Sequence, residues 1–123
     1  MQTQPALVAI VEDDPAMRKS IERLLQANGY ATISFESAEE FLRASITERA
    51  IGVILDIHLD GMSGIDLRRH LAAGKSAIPV VFITARDDEA TRKEALAAGC
   101  VDYLRKPFEA TRLIEAIERG RSH

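Results

Sequence analysis

Chemistry-bearing side chains gather where the apolar runs of this chain stop. Glu12, Asp13 and Asp14 follow Leu7-Val8-Ala9-Ile10-Val11, and Asp56 follows Ile51-Gly52-Val53-Ile54-Leu55. Thr84 follows Pro79-Val80-Val81-Phe82-Ile83, and Lys106-Pro107 comes just after Val101-Asp102-Tyr103-Leu104. If these runs are parallel strands of one sheet, their ends share the crevice where open α/β sheets bind ligands. Like charges ~4 Å apart repel by ~4 kcal/mol at an effective dielectric near 20. Such a cluster persists only if a carboxylate stays protonated or a hard divalent cation sits among them. Mg²⁺ suits it, because it takes oxygen ligands, keeps several waters, and needs one or two carboxylates plus a phosphate oxygen. Asp56, held at the end of a buried strand, can also act as a nucleophile toward phosphorus. A transferring phosphoryl group spreads negative charge over its equatorial oxygens. Mg²⁺, the Lys106 ammonium, and the Thr84 hydroxyl with nearby backbone N–H groups could each take one.

Each residue has a plainer reading when taken alone. Asp14 is an N-cap and Asp60 a turn residue. Lys106 could be a solvated lysine, Thr84 a strand-end residue and Tyr103 a half-buried aromatic. Their joint placement at four strand ends is what favours the functional reading. His58 and His70 show no zinc spacing with Cys100, and His123 lies at the very end.

The rest of the chain alternates short apolar runs with amphipathic segments. Asp14 and Pro15 open a helix carrying Met17, Ile21, Leu24 and Leu25, which Asn28-Gly29 closes. Ala31 to Phe35 reads as a strand. Ser37-Ala38-Glu39-Glu40 is a capping box for a helix with Phe41 and Leu42 inward. Asp60-Gly61 is a turn, and a helix with Ile65, Leu67 and Leu71 runs from about Gly64 to Gly74. Asp87-Asp88-Glu89 place acids in the first turn of a fourth helix, which Gly99 ends. A last helix, from about Glu109 to Arg119, carries Leu113, Ile114 and Ile117. Five strands alternating with five helices imply right-handed crossovers and a parallel sheet covered on both faces. The unbroken apolar strands are what two-sided burial requires.

With 123 residues, 46% of them hydrophobic, the chain is one domain able to bury a core. The core spans about residues 6 to 119, and 120–123 read as a polar tail or the start of a linker. A net charge of −3 and a pI near 5.6 give no sign of nucleic-acid binding. No apolar stretch approaches the ~18 residues of a membrane span. The opening residues lack the basic start of a secretory leader. Cys100 is the only cysteine, which excludes an internal disulfide and fits a reducing cytoplasm. Its plain reading is a buried small hydrophobe.

Over about residues 6 to 119 the chain resembles the receiver domain of two-component response regulators. Val11-Glu12-Asp13-Asp14, Leu55-Asp56 followed by Met62-Ser63-Gly64, Ile83-Thr84-Ala85 and Arg105-Lys106-Pro107-Phe108 carry the resemblance. Within that family it is most similar to receivers of the nitrogen-fixation regulator type, on Arg18-Lys19-Ser20, Phe41-Leu42 and Lys106-Pro107-Phe108-Glu109. The resemblance implies a flavodoxin-like (βα)5 doubly wound sheet in strand order 2-1-3-4-5. It implies Asp56 as phosphoacceptor, and Glu12, Asp13, Asp56 and the backbone carbonyl of His58 as ligands of Mg²⁺. Thr84 and Lys106 would contact the phosphoryl group, the Lys106-Pro107 bond would be cis, and the Tyr103 ring would turn inward on activation. The partner implied is a sensor histidine kinase, docking around Met17 and Ile21. The face of the fourth helix, last strand and fifth helix would change shape, form a homodimer when phosphorylated, and control transcription. Such a domain catalyses only its own phosphorylation and dephosphorylation. Asp60-Gly61 stand where proline is common in the family, which predicts a looser loop.

Other readings compete. A phosphatase with an aspartyl nucleophile needs a second acid two residues on, where this chain has His58. A flavin phosphate would meet repulsion from Glu12-Asp13-Asp14. A receiver serving only as an interaction module has no need of an intact site.

Overall fold

The computed structural model describes residues 4–122. Five strands, β1 (Leu7–Val11), β2 (Ala31–Phe35), β3 (Gly52–Asp56), β4 (Val80–Thr84) and β5 (Asp102–Arg105), alternate with five helices. The helices are α1 (Pro15–Ala27), α2 (Ala38–Ala44), α3 (Gly64–Ala73), α4 (Glu89–Ala98) and α5 (Ala110–Arg121). All strand pairs are parallel, and the sheet order is β2-β1-β3-β4-β5. This is the flavodoxin-like α/β fold expected from the sequence.

The period of two along each strand divides the core. Ala9, Val11, Val53, Leu55, Val80 and Phe82 face one side, against Phe41, Ile65, Leu67, Leu71 and Ala95 of α2, α3 and α4. Val8, Ile10, Ile54, Val81, Ile83 and Leu104 face the other, against Ile21 and Leu25 of α1 and Leu113, Ala116 and Ile117 of α5. Each fully buried Leu or Ile stabilises the fold by about 2 kcal/mol. Ile21, expected on a docking surface, is only 1% exposed. Its place in the core corrects that expectation, and the exposed positions of α1 include Ala16, Lys19, Ser20 and Arg23.

Register levels the strand ends. Val11 pairs with Leu55, Asp56 with Ile83, and Thr84 with Arg105. Residues just beyond β1 and β5 therefore stand at the same edge as Asp56.

The helix starts follow local chemistry. Asp14, Ser37, Ser63 and Asp88 cap α1, α2, α3 and α4 by accepting the N–H of Ala16, Glu40, Asp66 and Thr91. Asp88 is thus a cap rather than a first-turn residue, and Asp87 precedes the helix. The tail expectation also needs correction, because α5 continues to Arg121. Gly120 is buried, and a Cβ there would come within 2.7 Å of Pro79 Cβ and 3.0 Å of Val101 Cγ2. Glycine at this position lets the helix end lie close against Pro79 and Val101 despite its polar composition. His123 lies outside the described residues. No helix of the described residues is long and apolar enough to cross a membrane.

Candidate functional site

Asp56 is the last residue of β3 and is 5% exposed. Its Oδ1 accepts the backbone N–H of His58 at 3.1 Å. Its backbone is pinned from α3, since Gly64 N–H donates to the Ile57 carbonyl at 3.0 Å. Only glycine fits at position 64, where a Cβ would stand 2.3 Å from the Asp56 carbonyl oxygen.

Glu12, one residue past β1, is fully buried. Its N–H donates to the Phe35 carbonyl at 3.1 Å, its Oε2 accepts the Asp14 N–H at 3.1 Å, and its carbonyl accepts Arg18 Nη1 at 2.8 Å. Asp13 beside it is half-buried. Carboxylate oxygens of Glu12, Asp13 and Asp56 lie within 4.8 Å of one another.

Lys106 reaches the cluster from the end of β5. Its Nζ donates to Glu12 Oε1 at 2.6 Å and lies 3.4 Å from Asp56 Oδ2. Its side chain is 12% exposed, and its backbone N–H donates to the Thr84 carbonyl at 2.7 Å. The Lys106-Pro107 bond is cis. Burial alone would lower the Lys106 pKa, but the contacts with Glu12 and Asp56 outweigh it and hold it above its ordinary value. The ammonium stays charged at neutral pH. Burial raises the Glu12 pKa, and the Lys106 hydrogen bond opposes that rise. Three carboxylates against one ammonium leave an excess of negative charge on oxygen donors alone. That donor set suits a hard divalent cation.

Thr84 is fully buried at the end of β4, and its side chain stands apart from the contacts among Glu12, Asp56 and Lys106. Its hydroxyl donates to the Arg86 carbonyl at 2.7 Å and accepts the Arg86 N–H at 3.0 Å. Tyr103 is half-buried on β5, with its hydroxyl 3.4 Å from Asp87 Oδ1. Burial, then the Asp87 carboxylate, raises the Tyr103 pKa. Asp60 is exposed in the turn, as expected.

The structure therefore joins Glu12, Asp13, Asp56 and Lys106 directly, brings His58 in through its backbone N–H, and leaves the Thr84 side chain bonded within its own turn. Arg18 and Glu39, which support the strand-end loops, were not assigned from sequence. Arg18 lies one helical turn past the acidic run, a spacing that could have flagged it. Glu39 carries no such signal, since its partner Met62 is 23 residues away.

Comparison with known proteins agrees with this geometry. The family described as response regulator receiver domain matches residues 8–118. The transcriptional regulatory protein FixJ of Rhizobium meliloti is 41% identical over 116 residues, covering 94% of this chain and 57% of that protein. Nodulation protein W of Bradyrhizobium diazoefficiens is 37% identical over 112 residues, covering 91% of this chain and 49% of that one. The chain thus spans about half the length of the curated relatives it matches. Among solved structures, FixJ-N superposes with a TM-score of 0.87 at 39% identity, covering 98% of this chain and 97% of its own. The response regulator StyR gives a TM-score of 0.88 at 38% identity, covering 98% and 60%. Fold, strand-end cluster and these matches together place the chain in the response regulator receiver domain family.

Proposed function

We propose that this domain is a phosphorylation-operated switch in which Asp56 accepts a phosphoryl group from the phosphohistidine of a sensor histidine kinase. The observation that carries this reading is the convergence of Glu12, Asp13, Asp56 and Lys106 at one sheet edge. An Asp56 carboxylate oxygen forms the new P–O bond in line as the P–N bond breaks, and the imidazole keeps the electron pair and takes a proton from solvent. Glu12, Asp13, Asp56 and the His58 carbonyl would hold Mg²⁺, which neutralises charge on the transferring oxygens. Lys106 meets the remaining charge as it develops beside Asp56.

Aspartyl phosphate then offers new acceptor oxygens. The Thr84 hydroxyl exchanges its bonds to Arg86 for one of them, and the β4–α4 turn and Tyr103 follow. The face of α4, β5 and α5 is reshaped for a partner or for a second copy in a homodimer. Moving such a switch from 1:99 to 99:1 takes ~5.5 kcal/mol of differential stabilisation. The domain works in the cytoplasm, binds no nucleic acid directly, catalyses only its own phosphorylation and dephosphorylation, and controls transcription through an attached or separate effector.

Acetyl phosphate and beryllofluoride, with and without Mg²⁺, test this on wild type and Asp56→Asn. Intact mass should show one phosphoryl group on wild type only when Mg²⁺ is present, and none on Asp56→Asn. Hydrodynamic size reports dimerisation. Wild type that stays unmodified at saturating Mg²⁺, or a variant that is still modified, overturns the proposal.

A further inference from the structure

Glu39 is remote in sequence from every residue of the site, yet it holds the loop that leaves Asp56. Its Oε2 accepts the N–H of Met62 at 3.0 Å. That loop, residues 57–63, is otherwise tied near its ends, by His58 N–H on Asp56 Oδ1 and Gly64 N–H on the Ile57 carbonyl. Its middle, Asp60-Gly61, is exposed, and Gly61 takes a left-handed φ of 76°. A Cβ at Gly61 would lie 2.8 Å from Glu39 Oε2, so glycine permits both the turn and the close approach of the carboxylate. No proline stiffens the loop.

Glu39 is itself well anchored. The Ser37 cap and buried Ala38 and Phe41 seat α2, and the Phe41 ring meets Phe35 edge-on at 5.5 Å. The Met62 N–H, and then its own backbone N–H, hold the Glu39 carboxyl below its ordinary pKa. A charged acceptor makes a stronger bond than a neutral one. The looser loop expected from Asp60-Gly61 is therefore restrained from outside, by α2.

We propose, building on the reading of Asp56 as a Mg²⁺-assisted phosphoacceptor, that Glu39 is a positioning residue. It clamps the loop after β3 and so fixes where the His58 carbonyl and the Asp56 carboxylate stand toward the cation. It touches neither the cation nor the phosphoryl group. Residues that orient metal ligands raise affinity by removing the freedom those ligands would otherwise lose on binding.

The test compares Glu39→Ala and Glu39→Gln with wild type in the full chain. Glutamine keeps an oxygen acceptor at the same reach. Amide hydrogen exchange at Met62 reports the clamp, and calorimetry with Mg²⁺ alone reports the site. Glu39→Ala should speed Met62 exchange about tenfold and weaken Mg²⁺ binding at least about tenfold. Glu39→Gln should recover most of both. Acetyl phosphate labelling of Glu39→Ala should be slowed most at low Mg²⁺, with the deficit shrinking as Mg²⁺ rises. Unchanged Met62 exchange, or wild-type Mg²⁺ affinity in Glu39→Ala, overturns the clamp alone. Wild-type protein that binds no Mg²⁺ overturns the reading of the site and this inference with it.

Discussion

Replacing Gly64 with alanine should damage both the fold and the site, because its missing side chain is where α3 meets the end of β3. The added Cβ would stand 2.3 Å from the Asp56 carbonyl oxygen and 3.0 Å from both Asp56 C and Ile57 Cα. Carbon and oxygen approach to about 3.3 Å, so roughly 1 Å of separation must be found. Every atom met is backbone, and no rotamer change relieves the clash. Either the start of α3 or the end of β3 must move, stretching the 3.0 Å bond from Gly64 N–H to the Ile57 carbonyl. Overpacking costs about 1–3 kcal/mol and the weakened hydrogen bond about 1 kcal/mol. The better helix propensity of alanine returns up to about 1 kcal/mol. The net loss should be about 1–3 kcal/mol, or roughly 1 M in the urea midpoint. A shift of that size at Asp56 should slow labelling by acetyl phosphate about 10- to 100-fold. Gly52→Ala is the control, since its Cβ would meet the Pro79 carbonyl oxygen at an ordinary 3.4 Å. A Gly64→Ala midpoint within about 0.2 M of wild type, with labelling within about twofold, would refute the reasoning.

Lys106→Met should cost about 3 kcal/mol at pH 7 by leaving Glu12 and Asp56 facing each other without the ammonium. The loss should shrink as pH falls, because burial raises the Glu12 pKa and its protonation relieves the repulsion, and a double-mutant cycle with Glu12→Gln in urea measures the coupling. Burial, then the Glu118 carboxylate, pushes the Tyr30 pKa up to about 12. Because the folded value is raised, the Tyr30 contribution is fully present below pH 10 and lost as pH climbs through about 12. Ultraviolet titration should show a tyrosine ionising near pH 12 that disappears in Tyr30→Phe, with a stability loss of about 1 kcal/mol at pH 7. Burial, then Asp102, also raises the Cys100 thiol pKa. Alkylation at pH 8 should therefore run slower than for free cysteine, with its pH midpoint displaced upward; a rate equal to free cysteine in the native protein would contradict this.

Strand and helix identity could be read from the chain because each signal is local. Apolar runs such as Leu7–Val11 can be buried on both faces only as inner strands. Asp14, Ser37 and Asp88 cap helices through bonds to residues two or three positions away. The carboxylates could be nominated because they directly follow such runs. Other features depended on partners far along the chain. Ile21 looked like a surface contact by analogy, but the α1–α5 side of the sheet claims it for the core. Gly120 looked like tail, but Pro79 and Val101 receive it. Lys106 could be assigned to the crevice, but its 2.6 Å bond to Glu12 joins residues 94 positions apart. Composition along a chain dictates which segments must hide from water. Which carboxylate an ammonium neutralises, or which helix braces a loop, is set by packing geometry, because those energies fall off within a few ångströms and no sequence interval encodes such distances.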